Sequence, residues 1–167
     1  MRHPEPSSFA APVFDPPQTL TVPSLGIVAS VVPVGVDPSG VLALTADPSV
    51  VFWYEASGYP GLIGRMVLAG HLDSRDGSTG IFAQLARVQV GEEFEVTTAR
   101  GARYRYRVTG LTRIEASDIA RALSAPAIES EALLVTCDGR WDPRLGRYSH
   151  NLLVRGVLVP LQGDDAP

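Results

Sequence analysis

A chain of 167 residues, 45% of them hydrophobic and 19% charged, is long enough for one domain with a sizeable core and too apolar for a disordered segment. Its net charge of −4 is modest and gives no sign of the basic excess on which nucleic-acid binders depend, and all 14 of its basic residues are arginine, which we read as genome composition rather than chemistry. No apolar run approaches the roughly 20 residues needed to cross a bilayer, and the start has no signal-peptide pattern.

The opening stretch is rich in proline and polar residues, and residues 1–18 read as a flexible arm or linker. The run Leu20–Val36 contains β-branched segments broken by proline and glycine, the pattern of two strands. Asp37–Gly40, with proline second, reads as a turn. An apolar patch follows at Val50–Tyr54 within mostly irregular chain. "RMVLAGHLD" is an apolar run of strand length ending at His71, and "RDGSTG" is a polar loop. Residues 80–88 predict a short helix with Phe82, Leu85 and Val88 on one face. "EEFEV" and "RYRYRVTGLTRI" predict antiparallel strands, the second with a wet face because arginine and tyrosine alternate. Ser117 is the expected N-cap of a second short helix over 117–124. "ALLVTC" and "NLLVRGVLVP" complete a mostly β chain of about eight short strands. Helices do not alternate with strands, so a single-domain barrel or sandwich is expected rather than a doubly wound fold.

Cys137 is the only cysteine, so it has no internal disulfide partner. It is a buried filler, a free thiol, an intermolecular bridge or a nucleophile. Its place where an apolar strand meets Asp138-Gly139 is matched by His71, where another apolar strand meets a glycine-rich loop. Two strand ends at one rim of a barrel would bring thiol and imidazole together. A free thiol, with a pKa near 8.5, is mostly protonated at neutral pH. Acyl transfer needs its thiolate, a general acid for the leaving amine and donors for the oxyanion. Arg140, Arg144 and Arg147 follow the cysteine, and a guanidinium suits the last role. The plainer alternatives are an inert core cysteine, a surface histidine and arginines that solvate a loop. His71 with Asp73 offers two metal ligands and no third at ligand spacing, so neither a metal nor a cofactor is expected.

Val67–Val96, "VLAGHLDSRDGSTGIFAQLARVQVGEEFEV", resembles the histidine segment of sortases, and "LLVTCDGRWDPRLGRYSHNLLVRGVLV" resembles their cysteine–arginine segment. "LTVPSLGIVASVVPVG" and "WYEASGYPGLIG" resemble the opening of class F sortases. The likeness runs over nearly all of residues 19–160, and the three segments stand in the family's order. It implies an eight-stranded β-barrel with two short helices, and a catalytic domain over residues 19–163 with a short tail at 164–167. It implies a cysteine transpeptidase that cuts LPXTG-like sorting signals through a thioester and passes the acyl group to an amine on a cell-wall precursor or a protein. By position Cys137 matches the nucleophile and His71 the general acid/base, with Asp73 and Thr136 in support. The class F arginine directly follows the tyrosine, where this sequence has Ser149 in "RYSHN". Arg147 lies two residues earlier and, on an extended strand, on the same side; Arg155 is the fallback, and His150 points the other way. The resemblance further implies an extracytoplasmic, membrane-anchored monomer at a bacterial surface, its anchor lying outside this chain. The alternatives are a sortase-fold module that binds sorting-signal peptides with little turnover, and a β-barrel interaction module with an inert Cys137.

Overall fold

The computed structural model describes residues 14–38, 40–74 and 76–160. Eight strands close into a barrel: β1 (Pro17–Val22), β2 (Ile27–Val34), β3 (Val51–Tyr54), β4 (Gly64–Ala69), β5 (Glu93–Thr98), β6 (Arg103–Glu115), β7 (Ser130–Asp142) and β8 (Arg147–Leu158), in the spatial order β1-β2-β3-β4-β7-β8-β6-β5. The mostly β class and the eight-stranded closure agree with expectation. The pairs β2·β3 and β4·β7 are parallel, and the others are antiparallel.

Alternation along each strand builds the core. Leu20, Val22, Met66, Leu68, Phe94, Tyr106 and Leu134 fill the barrel and are wholly or almost wholly buried. The opposite faces of β4 and β7 are covered as well. Val67, Leu133 and Val135, with Leu153 of β8, pack against Ile119, Ala122 and Leu123 of the one α-helix among the described residues, α1 (Ile119–Ser124). Burial on both faces explains why "RMVLA" and "EALLV" read as continuous apolar runs while β6 alternates. On β6 the arginines at 103, 105 and 107 face out and Tyr106 and Val108 face in.

Four expectations need correction. Residues 80–88 form turns ending in a 3₁₀ segment, Leu85–Arg87, rather than an α-helix. Their backbone bonds join residues three apart: Ala83 to Gly80, Leu85 to Phe82 and Val88 to Leu85. Three residues per turn align Phe82, Leu85 and Val88 on one buried face, which an α-helix would fan apart. Ser117 is not a helix cap, since it lies inside a 3₁₀ turn (Ala116–Asp118) that precedes α1 and moves the helix start to Ile119.

The expected arm at residues 1–18 ends earlier, because Pro17 and Gln18 belong to β1 and Pro17 pairs with Thr98. Proline lacks a donor but still accepts, and the Pro16 carbonyl takes the Ala99 N–H. Asp15 is buried and accepts from the Arg100 amide. Residues 1–13 of that arm, and the expected boundary between 163 and 164, lie outside the described residues. Finally, β7 does not end at Cys137. Burial stops at Thr136, but the strand continues with β8 as a ribbon to Asp142, and the chain turns only there, with the Gly146 amide on the Asp142 carbonyl.

Candidate active site

The site is built where β4 and β7 run side by side. They are parallel, and their last register pair is Ala69 with Val135. The ladder continues one step further, as the Gly70 amide donates to the Val135 carbonyl at 3.0 Å. The buried Thr136 hydroxyl then donates to the Gly70 carbonyl at 2.8 Å. His71 and Cys137 each lie two residues beyond the Ala69–Val135 pair, so the parity of the strands turns both toward the same face. That face is the one on which Val135 and Leu153 pack, outside the barrel.

His71 is half-buried. Its Nε2 lies 2.7 Å from the Thr45 carbonyl, and its ring meets the edge of Phe52 at 5.4 Å. A carbonyl only accepts, so this bond puts the proton on Nε2 and leaves Nδ1 of the neutral ring with its lone pair. The loop base beneath the ring is tight. A Cβ on Gly80 would come within 2.1 Å of the His71 carbonyl oxygen, so only glycine fits there.

Asp73, exposed in the loop after His71, forms an isolated bridge with Thr79. Its carboxylate accepts a very short hydrogen bond from the Tyr148 hydroxyl of β8. That bond to Asp73, followed by burial and by the charges of Asp73 and Cys137, pushes Tyr148 up to about 12. Cys137 keeps an exposed face. Burial on its packed side is nonetheless the first cause pushing the thiol above its ordinary value, and the Asp73 carboxylate pushes it further the same way. Thiol, carboxylate and phenol therefore form one electrostatic cluster.

Across the β7–β8 ladder Cys137 pairs with Asn151, whose Nδ2 donates to the Thr136 carbonyl at 3.2 Å. Beyond Asp138 the register shifts, and Gly139 and Arg140 together oppose Ser149 in a β-bulge. Asp138-Gly139 is therefore part of a bulged ribbon and does not turn the chain. Gly139 has φ +81°, and a Cβ there would meet Ser149 Oγ at 2.4 Å and His150 Nδ1 at 2.8 Å. Glycine lets the bulge press on β8.

The arginines separate clearly. Arg155 is engaged away from the thiol: it donates to Glu131 at 2.5 Å, Glu129 at 2.7 Å and Thr109 at 3.0 Å, and pairs in register with Leu133. Arg140 is exposed, and it is its backbone amide that bonds Ser149. Arg144 lies in the hairpin turn, its amide on Asp142. Arg147 is exposed at the start of β8, opposite Asp142, and lines a small pocket of about 180 Å³ with Tyr148, Ser149 and Glu115. Because the bulge is on β7, β8 stays regular, and Arg147, Ser149 and Asn151 alternate onto one side. Asn151 is four residues from Arg147, about 13 Å along a strand, so the Arg147 guanidinium must fold back over Ser149 to approach Cys137. Ser149 itself bonds His150 Nδ1 at 2.7 Å, and His150 Nε2 lies 3.2 Å from Glu115. Among the described residues, Thr45, Tyr148 and Asn151 join the site without having been singled out beforehand. Tyr148 adjoins the arginine position in the quoted segment, but nothing in the sequence links it to Asp73.

A closed barrel in which a cysteine and a histidine each lie two residues past the last register pair of two parallel strands has the arrangement of the sortase-type cysteine β-barrels. The chain belongs to the sortase family, since the family's Sortase domain matches residues 20–159. It is similar in structure to sortase A from Corynebacterium diphtheriae in a lid-mutant form, with a TM-score of 0.67 and 22% identity over 96% of this chain and 77% of that one. Sortase C1 from Streptococcus agalactiae in complex with MTSET is similar at a TM-score of 0.65 and 23% identity, over 86% of this chain and 67% of that one. A sortase D5 transpeptidase from Clostridium perfringens is similar at 0.65 and 19% identity, over 87% of this chain and 80% of that one. At such identities these likenesses establish the fold. Among curated proteins, none matches the chain significantly. Sortases in general act on sorting-signal substrates and amine acceptors.

Proposed function

We propose that this protein is a cysteine transpeptidase that cleaves LPXTG-like sorting signals. The Cys137 thiolate attacks the carbonyl carbon of the scissile Thr–Gly bond, and the tetrahedral oxyanion collapses to a thioester as the C–N bond breaks. The His71 imidazolium gives its proton to the departing amine. An incoming amine then attacks the thioester carbonyl and passes its proton to the imidazole as the C–S bond breaks, which restores the thiolate–imidazolium pair. The observation that carries this reading is the parallel register of Ala69 with Val135, after which His71 and Cys137 each follow two residues on, His71 just past the end of β4 and Cys137 within β7. Thr136 braces that junction through its bond to Gly70. Asp73 supports the site through Tyr148, and Arg147 is our candidate for the oxyanion donor.

Within the family we assign the chain to class F, on the likeness of its opening and cysteine segments. We read the physiological protein as a monomer held at a bacterial cell surface by an N-terminal membrane anchor, with a cell-wall precursor or a protein as amine acceptor. Among the described residues no helix is long and apolar enough to cross a membrane.

One observation favours a second reading, a peptide-binding module of low turnover: the class F arginine position holds Ser149, whose Oγ is taken up by the Arg140 amide and His150. Incubation with an LPXTG-type peptide and a small amine, followed by mass spectrometry, separates the two. Amide product joined at the threonine carbonyl, together with a peptide thioester on Cys137, supports transpeptidation. Peptide bound but recovered intact after long incubation overturns it.

A further inference from the structure

The loop that follows His71 is tied to the far side of the thiol. Asp73 lies two residues past His71, and its carboxylate takes the Tyr148 hydroxyl from β8. Tyr148 is itself seated by an edge-to-face contact with Trp141 of β7 at 5.3 Å. The loop is internally braced, with the Ser74 amide on Ser78 and the Gly80 amide on Leu72. A single negative charge is therefore held by a neutral donor at a fixed place on the loop that follows His71.

We propose that Asp73, anchored by Tyr148, is a positioning residue that fastens the His71 loop to β8 and fixes one negative charge there, where it acts on Cys137. Its meaning for turnover rests on the reading of Cys137 as nucleophile; the ionisation itself does not. A carboxylate beside a thiol disfavours a second negative charge. The direction of the Cys137 shift agrees, with burial first and Asp73 second. The other titratable groups around the thiol, among the described residues, are His71 from the loop, Tyr148 from β8, and Asp138 next along β7. Asp138 is ion-paired with Arg113 of β6. One ladder step further, His150 and Glu115 hold each other, and Arg147 lies beyond them. Asp73 is the anion among these with a charge on the thiol and a donor that fixes it.

The test uses substrate-free protein and two substitutions that divide charge from anchoring. Asp73→Asn removes the charge and keeps an acceptor for Tyr148, while Tyr148→Phe removes the anchor and keeps the charge. Alkylation of Cys137 by iodoacetamide is followed against pH. In Asp73→Asn the midpoint falls. The rate below the midpoint then rises by less than the gain in thiolate, because a more acidic thiolate is also less nucleophilic. Asp73→Glu retains the wild-type midpoint. Tyr148→Phe leaves the midpoint at or above that of wild type, and hydrogen exchange at Leu72–Ser74 quickens. An Asp73→Asn midpoint equal to wild type overturns the charge role. A fall in Tyr148→Phe like that of Asp73→Asn reassigns the effect to loosening, and unchanged exchange in Tyr148→Phe overturns the anchoring role. Because no peptide is present, these outcomes are independent of whether the protein is a transpeptidase.

Discussion

The buried hydroxyl of Thr136 donates to the carbonyl of Gly70 across 2.8 Å, joining the residue before the thiol to the residue before the imidazole. The bond extends the β4·β7 ladder past its last backbone pair and fixes the relative height of the two strand ends. Thr136→Val keeps the shape and leaves the Gly70 carbonyl without its partner. A loss of about 1–3 kcal/mol is expected in chemical denaturation. Since small misplacements of reacting groups are costly, kcat/KM falls by about tenfold to a hundredfold. Thr136→Ser keeps the donor and should recover most of the activity. Equal activity in Thr136→Val and wild type would show that the ladder alone sets the geometry.

His71→Ala should lower peptide cleavage by about 10²–10⁴-fold, the usual worth of a general acid–base group. The fold survives, because the ring lies outside the barrel and gives up one bond to Thr45 and one contact with Phe52. Cys137→Ala should form no thioester at all. Steady-state cleavage beside a near-wild-type circular dichroism spectrum checks both.

Arg147→Ala should reduce kcat/KM by about 10²-fold or more, roughly 2.7 kcal/mol, the loss typical of one oxyanion donor. Arg147→Lys restores only part, because an ammonium cannot reproduce the fork. Arg155→Ala behaves differently: with its guanidinium on Glu129 and Glu131, its loss lowers the melting temperature and spares the kcat of the folded protein. Arg140→Ala changes little, since its backbone amide makes the bond to Ser149. A dead Arg155→Ala enzyme with normal stability would contradict this division.

Glu131 shows how acid should unfold the protein. Burial pushes its carboxyl up, but bonds and charges from Arg155 and Arg65 outweigh this, so its pKa ends below the ordinary value. A lowered pKa in the folded state adds stability above the unfolded value, near 4.3, and that stability is lost as pH falls through the folded value. Glu131→Gln should therefore cost about 1.5–3 kcal/mol at neutral pH. The gap from wild type should shrink below about pH 4. Urea denaturation at a series of pH values measures it; a gap independent of pH would assign the loss to packing.

Short-range pattern determined much of this protein. Alternation in "RYRYRV" fixed which face of β6 is wet, and the apolar runs ending near His71 and Cys137 marked two buried strands. The order of the segments marked the family. The first two signals lie within a few residues of one another, where periodicity and propensity act, and the third is an order along the chain that needs no contact to be read. Only the tertiary structure decided the rest. The parallel pairing of β4 with β7 joins residues 66 positions apart in sequence, as the Thr136–Gly70 bond does. The Asp73–Tyr148 bond spans 75 positions, and the competition of Glu129 and Glu131 for Arg155 is likewise a matter of proximity after folding. The bulge at Gly139–Arg140, which carries β7 past the cysteine, depends on what β8 presents opposite it. A chain pattern records which face each residue takes, while the partner across a ladder is chosen by register, and register belongs to the closed barrel as a whole.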